Sequence, residues 1–234
     1  MDAELCQLDK IYLSDLSNYN KTLNQRNALL KEIIHKPELK DTLSVWDEQL
    51  ISSGKKIIKR RQQFINDINY IVKDIHNLIT GGLEDINVSY EPNIDDIFFY
   101  DELVKNKDKD LRFCQTSVGP HRDDIKITIN GIDVRKYGSQ GQQRTCALTL
   151  KLSEIKLVED TIGDKPILLL DDVLSELDKR RQSFLLDNIL DTQTIITCTG
   201  IDEFISNRFS LDTVYKVENA VVSKMTEEIN ESGS

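Results

Sequence analysis

From Leu16 onward the apolar positions Leu16, Tyr19, Leu23, Leu30 and Ile33 recur at helical spacing, and the pattern stops at His35-Lys36-Pro37. A second run follows at once, with Trp46, Leu50, Ile57, Phe64, Ile68, Ile71, Ile75 and Ile79 stepping by three, four or seven positions up to Gly81-Gly82. A helix from Asp41 to Thr80 would run about 60 Å at ~1.5 Å per residue, too long for a small globular core. Joined by a short turn containing proline, the two helices predict an antiparallel pair projecting from a globular body.

The period then changes. Ile86, Val88 and Tyr90 alternate as in a strand, a further helix is expected around Asp95 to Lys107, and Leu111, Phe113 and Gln115 alternate again up to Val118. Ile125, Ile127 and Ile129 lead into Asn130-Gly131, with Ile132 and Val134 beyond, the pattern of a two-residue hairpin with a type I′ turn. A helix from about Gly141 to Glu159 carries Ala147, Leu150, Ile155 and Val158. The unbroken run Ile167 to Leu170 suits a central strand covered on both faces. A helix from near Asp178 then leads to a second apolar strand, Thr194 to Cys198, and this order implies a right-handed crossover in a parallel sheet. One more strand is expected at Val214 to Val217, then a disordered polar end from Thr226.

Composition narrows the class. A chain of 234 residues with 39% hydrophobic content can bury one substantial core. Thirty basic against forty acidic residues leave a net charge of -10, so any contact with nucleic acid must be local. Cys6, Cys114, Cys146 and Cys198 have no C-x-x-C spacing and read as buried reduced thiols, and His35, His76 and His121 stand singly, as structural histidines do. With no signal-peptide pattern and no long apolar run, a cytoplasmic location is expected.

Two stretches carry the chemistry. In Tyr137-Gly-Ser-Gln-Gly-Gln-Gln-Arg-Thr145, Ser139 and Gln142 form an S-x-x-Q capping box, and Gly138 and Gly141 let backbone approach a ligand. The amides at such a helix start favour an anion, although capping boxes also begin ordinary helices. In Pro166 to Asp178, Asp171 ends an apolar strand where it can hold magnesium, while Asp172, across the pleat, can orient or deprotonate an attacking water. Simple strand termination is the alternative. Glu176 and Asp178 follow in a loop able to reach a neighbouring subunit. The cations Lys55, Lys56, Lys59, Arg60 and Arg61 fall within seven residues, a possible phosphate contact or a solvated helix face. Lys179, Arg180 and Arg181 are equally open, and Gly119-Pro-His-Arg122 reads as a rigid turn.

Taken in order, Ser117 to Asp124, Tyr137 to Arg144 and Leu168 to Asp178 resemble the RecF family of bacterial DNA replication and repair proteins, and the likeness extends to Leu5-Cys-Gln-Leu8 and Asn18 to Asn27. The resemblance implies an α/β fold: an incomplete ABC-type ATPase head with a P-loop NTPase-like parallel sheet. It implies a helical lobe over 1–110 containing the long-helix pair, signature and Walker B segments over 111–225, and a disordered tail over 226–234. Ser139, Gln140, Gly141 and Gln142 then correspond to the signature that contacts ATP held by the opposite subunit of a homodimer. Asp171 corresponds to the magnesium acid, Asp172 to the catalytic base position, Asp178 to the D-loop, and Thr197 or Thr199 to the switch. The implied function is ATP-dependent binding of single- and double-stranded DNA and recombinase loading at gaps, in recombinational repair and the SOS response, with recombination mediator proteins as partners.

The chain contains no G-x-x-x-x-G-K-[ST] loop. By itself it is therefore expected neither to bind ATP tightly nor to hydrolyse it, and to expose a sheet edge or apolar face. Two other readings compete: a noncatalytic fragment that engages DNA or protein through its helical arm, and a metal-dependent nuclease built on Asp171, Asp172, Glu176 and Asp178.

Overall fold

The computed structural model describes residues 1–189, 191–198 and 213–225. They fall into two compact units, one of Met1–Leu168 with Leu177–Thr194, the other of Leu169–Glu176 with the chain from Ile195. The first unit thus runs across the boundary expected after residue 110.

In the first unit, helix α1 (Asp2–Leu8) precedes α2 (Lys10–Ile33), and Asp9 caps α2 by accepting hydrogen bonds from the amides of Ile11 and Tyr12. Helix α3 (Leu43–Thr80) is 38 residues long and ends at Gly81. Ion pairs between Asp9 and Arg60, Asp15 and Lys56, and Asp47 and Arg26 run in opposite directions along α2 and α3, so the pair is antiparallel. The helix does not, however, stand out from a body as a bare arm. Buried side chains continue from Leu43 to Ile79, because α3 also packs on β1 (Ile86–Glu91), α4 (Phe99–Lys105) and α7 (Gln140–Ile162). It is a spine with more than one covered face. Among the eight apolar positions that predicted it, none is exposed.

Strand β1 alternates as expected and buries Ile86, Val88 and Tyr90. It pairs antiparallel with β2 (Asp124–Ile129), setting Ile86 opposite Ile129 and Tyr90 opposite Ile125. The Asn130-Gly131 turn has φ values of 50° and 80°, the type I′ geometry. Its return strand β3 stops after Ile132–Asp133, and Val134, expected in that strand, instead opens α6 (Val134–Tyr137).

Residues 111–118 are not a strand. Two short helices, α4 and α5 (Lys107–Phe113), replace both the single helix expected around Asp95 to Lys107 and the alternation beyond it, and Cys114 takes a left-handed conformation. Asp110 explains the geometry: fully buried, it meets Arg26 Nη1 at 2.8 Å and accepts the Ser117 amide at 2.9 Å. This buried polar pair fixes the chain here, outweighing a weak apolar alternation.

Strands β4 (Leu168–Asp171) and β5 (Thr194–Thr197) pair through the Leu168 amide to the Gln193 carbonyl and the Asp172 amide to the Thr197 carbonyl, equal offsets that make them parallel. Helix α8 (Lys179–Ile189) lies between them in sequence. Coverage on both faces is not found: Leu170 is buried, but Leu169 is 70% exposed and Ile195 56%. A second strand, β7 (Val221–Met225), joins the expected β6 (Val214–Glu218) in a hairpin whose Val217, Val221 and Val222 are exposed. Of the four cysteines, all free, only Cys146 is buried, while Cys198 is exposed at the end of β5. The expected disordered tail lies outside the described residues.

Candidate nucleotide-facing site

In the first unit, the candidate residues lie at the start of α7. Ser139 Oγ accepts the Gln142 amide at 3.2 Å, and Gln142 Oε1 accepts the Ser139 amide at 3.0 Å, so the capping box is complete. Ser139 and Gln140 are exposed, and the amides of Gln140 and Gly141, in the first turn, have no acceptor within the helix. Gly138 allows the tight entry, since a Cβ there would stand 2.5 Å from the Val134 carbonyl oxygen. The product is an anion-facing turn with its polarity already arranged.

Asp178 belongs to the same unit. It caps α8 by accepting the Arg181 amide at 3.0 Å and forms an ion pair with the Arg181 guanidinium, whose Nη2 lies 3.4 Å from the Gly141 carbonyl oxygen. The amide bonds to Arg181 hold the Asp178 carboxyl below its ordinary value. A second carboxylate also meets this helix start: Glu84 Oε1 accepts Gln142 Nε2 at 3.0 Å, and Glu84 Oε2 lies 3.2 Å from Nε2 of the buried His76. Burial lowers the His76 pKa despite Glu84, and burial pushes the neighbouring Cys146 thiol up to about 11, Glu84 adding to the effect. Sequence patterns did not single out Glu84 and left Arg181 open within the Lys179 to Arg181 run, because both meet the turn only through folding.

The other unit carries its own exposed polar cluster. Strand β4 ends at Asp171, and Thr197 at the end of β5 donates its hydroxyl to Asp171 Oδ1 at 2.5 Å. The Asp172 amide bonds to the Thr197 carbonyl at 3.1 Å and lies 3.2 Å from its hydroxyl. Asp172 does not continue the pleat across the sheet as expected; with φ at 51° it turns out of the strand. Asp171, Asp172 and Thr197 are exposed at one strand end. Thr199 lies outside the described residues. Carboxylates and a hydroxyl are hard oxygen donors, the type that magnesium takes when phosphates complete its shell. Among the described residues no three or more His, Cys, Asp or Glu side chains converge as a protein-only metal site.

The basic run on α3 is already engaged. Lys56 pairs with Asp15 at 3.1 Å, Lys59 with Asp96 at 3.2 Å and Arg60 with Asp9 at 2.9 Å. Arg61 is buried, holding Asp2 and Asp123 at 2.8 Å each and the Pro120 carbonyl at 2.6 Å. Lys55 is half-buried. The Gly119-Pro-His-Arg turn is likewise structural at His121, which bonds to the Tyr19 hydroxyl and the Thr116 carbonyl.

No family model matches the chain. It is 60% identical over 227 residues to the DNA replication and repair protein RecF of Agathobacter rectalis, covering 97% of this chain and 63% of that protein. The like-named protein of Lachnospira eligens is 56% identical over 224 residues, with 95% and 62% covered. This chain belongs to the RecF family. It spans about three fifths of the length of these curated relatives. A solved structure described as the recombination mediator protein RecF-ATP in the RecFOR pathway superposes with a TM-score of 0.85 at 37% identity, over 96% of this chain and 61% of that one, and a RecF-ATPrS structure matches equally. The expected RecF-type α/β head fold follows from these matches. Among the described residues, no helix is long and apolar enough to cross a membrane.

Proposed function

We propose that this chain carries the signature, magnesium-acid and helical-spine segments of a RecF-type DNA replication and repair protein, and that its signature turn closes on ATP held by a second RecF subunit. The observation that carries the reading is the complete Ser139–Gln142 capping box at an exposed helix start, whose Gln140 and Gly141 amides have no acceptor within the helix. In the assembled site, the Gln140 and Gly141 amides and the Ser139 hydroxyl would donate to the terminal phosphate. Asp171 would hold the magnesium ion bound to the nucleotide, Thr197 would orient Asp171 and sense the phosphate, and Asp172 would position the attacking water. Bound ATP and magnesium supply the phosphoryl chemistry; these residues orient it. Asp178, tied to the signature turn through Arg181, would sit at the subunit contact. ATP-driven dimerisation would organise binding of DNA and of recombination mediators in recombinational repair and the SOS response, in the cytoplasm. With no P-loop motif, the chain alone would bind nucleotide weakly.

Of the competing readings, DNA contact through Lys55, Lys56, Lys59, Arg60 and Arg61 has less support, because Asp15, Asp96, Asp9, Asp2 and Asp123 neutralise four of the five. The decisive test replaces the matched segment of the Agathobacter rectalis RecF protein with this chain and measures ATP-dependent dimerisation and DNA binding. Both are expected to survive in the chimera, to be lost with Ser139→Arg, and to lose magnesium dependence with Asp171→Asn. A chimera that dimerises equally well with Ser139→Arg contradicts the proposal.

A further inference from the structure

The Gln142 side chain can be set either way round. Its oxygen completes the capping box at the Ser139 amide and its nitrogen donates to Glu84 Oε1, a carboxylate oxygen that accepts. Turning the amide over would set oxygen against oxygen at Glu84 and nitrogen against nitrogen at Ser139. Glu84 therefore selects the orientation. Glu84 is in turn held by His76, which is 0% exposed in the last turn of α3 and lies 3.0 Å from the Thr149 hydroxyl on α7. A neutral His76 meets Glu84 by donating Nε2–H, and the Thr149 hydroxyl, which also donates to the Thr145 carbonyl at 2.8 Å, shares its one proton between that carbonyl and Nδ1. Side chains from the end of α3, the loop before β1 and the body of α7 thus converge on one amide of the signature turn.

We propose that Glu84 and His76 are positioning residues for the signature: they lock Gln142 so that the Ser139 amide is occupied, Ser139 Oγ accepts the Gln142 amide, and the Ser139 hydroxyl proton is left to donate to an incoming phosphate oxygen. The proposal rests on the signature reading above and specifies how that site is held ready. Its logic is preorganisation: a donor already oriented does not pay to be ordered when nucleotide arrives. The link also couples the last turn of the spine helix to the nucleotide-facing turn.

The variants Glu84→Gln and Glu84→Leu separate this role from simple packing. A glutamine at 84 can still accept from Gln142 Nε2 through its oxygen, and its nitrogen donates to His76, forcing the other tautomer; a leucine can do neither. Nitrogen-resolved NMR of the 234-residue chain is expected to show His76 as the Nε2–H tautomer, switching to Nδ1–H in Glu84→Gln. The Gln142 side-chain amide should be protected from exchange in both, and become exposed to exchange in Glu84→Leu. In the chimera, Glu84→Leu should weaken ATP-dependent dimerisation by about tenfold or more, Glu84→Gln by little, and Glu84→Leu combined with Gln142→Leu by no more than either alone. Additive losses in that double variant, or an unprotected Gln142 amide in the unmodified chain, overturn the proposal. If Ser139→Arg leaves dimerisation intact, the signature reading itself fails, and amide exchange at Gln142 and Ser139 still decides the positioning role.

Discussion

Arg26 and Asp171 each sit in a small polar cluster, and the two clusters differ in what they leave over. Arg26 is 0% exposed and its guanidinium meets Asp47 at 2.7 Å, Asp110 at 2.8 Å and the Thr116 hydroxyl at 2.8 Å. Asp110 spends its other oxygen on the Ser117 amide, and Thr116 is held further by Asn27. That network pairs its members with one another and leaves Arg26 Nη2 buried without a partner. Among the described residues, the Thr197 hydroxyl engages one Asp171 carboxylate oxygen at an exposed strand end. Buried polar groups without partners are costly, so the first cluster closes at nearly every atom. Solvent supports the second, which keeps coordination capacity for a ligand. The same contrast holds within the first unit: Arg61 is consumed by Asp2, Asp123 and a carbonyl, whereas Ser139 and Gln140 at the start of α7 are exposed.

The largest effect expected from breaking this contrast is at Arg26. Arg26→Met strands Asp110 in the interior, and chemical unfolding of the chain should show a loss of about 3–5 kcal/mol. Ser139→Ala removes a cap that solvent can partly replace, with an expected loss of about 1 kcal/mol. Asp171→Asn should shift stability by about 0.5 kcal/mol or less, because the carboxylate is exposed, while abolishing magnesium dependence in the chimera. A cost at Asp171 as large as that at Arg26 would erase the distinction between closed and open clusters.

Acid provides a further probe of the closed regions. Burial lowers the pKa of both His76 and His121 from the ordinary 6.5. Above 6.5 both imidazoles are neutral whether the chain is folded or unfolded, so they add no pH dependence there. As the pH falls below 6.5 the unfolded chain takes up protons that the folded chain refuses, and stability declines until the folded imidazoles themselves titrate. Midpoints of urea unfolding measured across this window should fall with pH, and His76→Gln should flatten the slope.

How far the fold could be read from sequence follows the same division. Local signals held: the capping box, the Asn130-Gly131 turn, the spine helix and the paired apolar strands all depend on residues near one another in the chain. Tertiary closure did not show itself. The alternation of Leu111, Phe113 and Gln115 suggested a strand, but Asp110 is recruited by Arg26, 84 residues away, and nothing in the local pattern reports that pairing. Asp9, a single capping aspartate, starts α2 earlier than its apolar period indicates. The four-residue apolar run before Asp171 implied two covered faces, yet Leu169 and Ile195 remain exposed, because run length records a strand's hydrophobicity and not what lies against it. In the candidate site, the Ser139–Gln142 capping box was legible, and the contacts that Glu84, His76 and Arg181 make around it were not.

The most direct measurement of the central claim is sedimentation of this chain mixed with the intact Agathobacter rectalis RecF protein, with and without magnesium and a slowly hydrolysed ATP analogue. The account predicts a mixed dimer that forms only with nucleotide and disappears with Ser139→Arg in this chain. Association that is indifferent to nucleotide, or that survives Ser139→Arg, would contradict it.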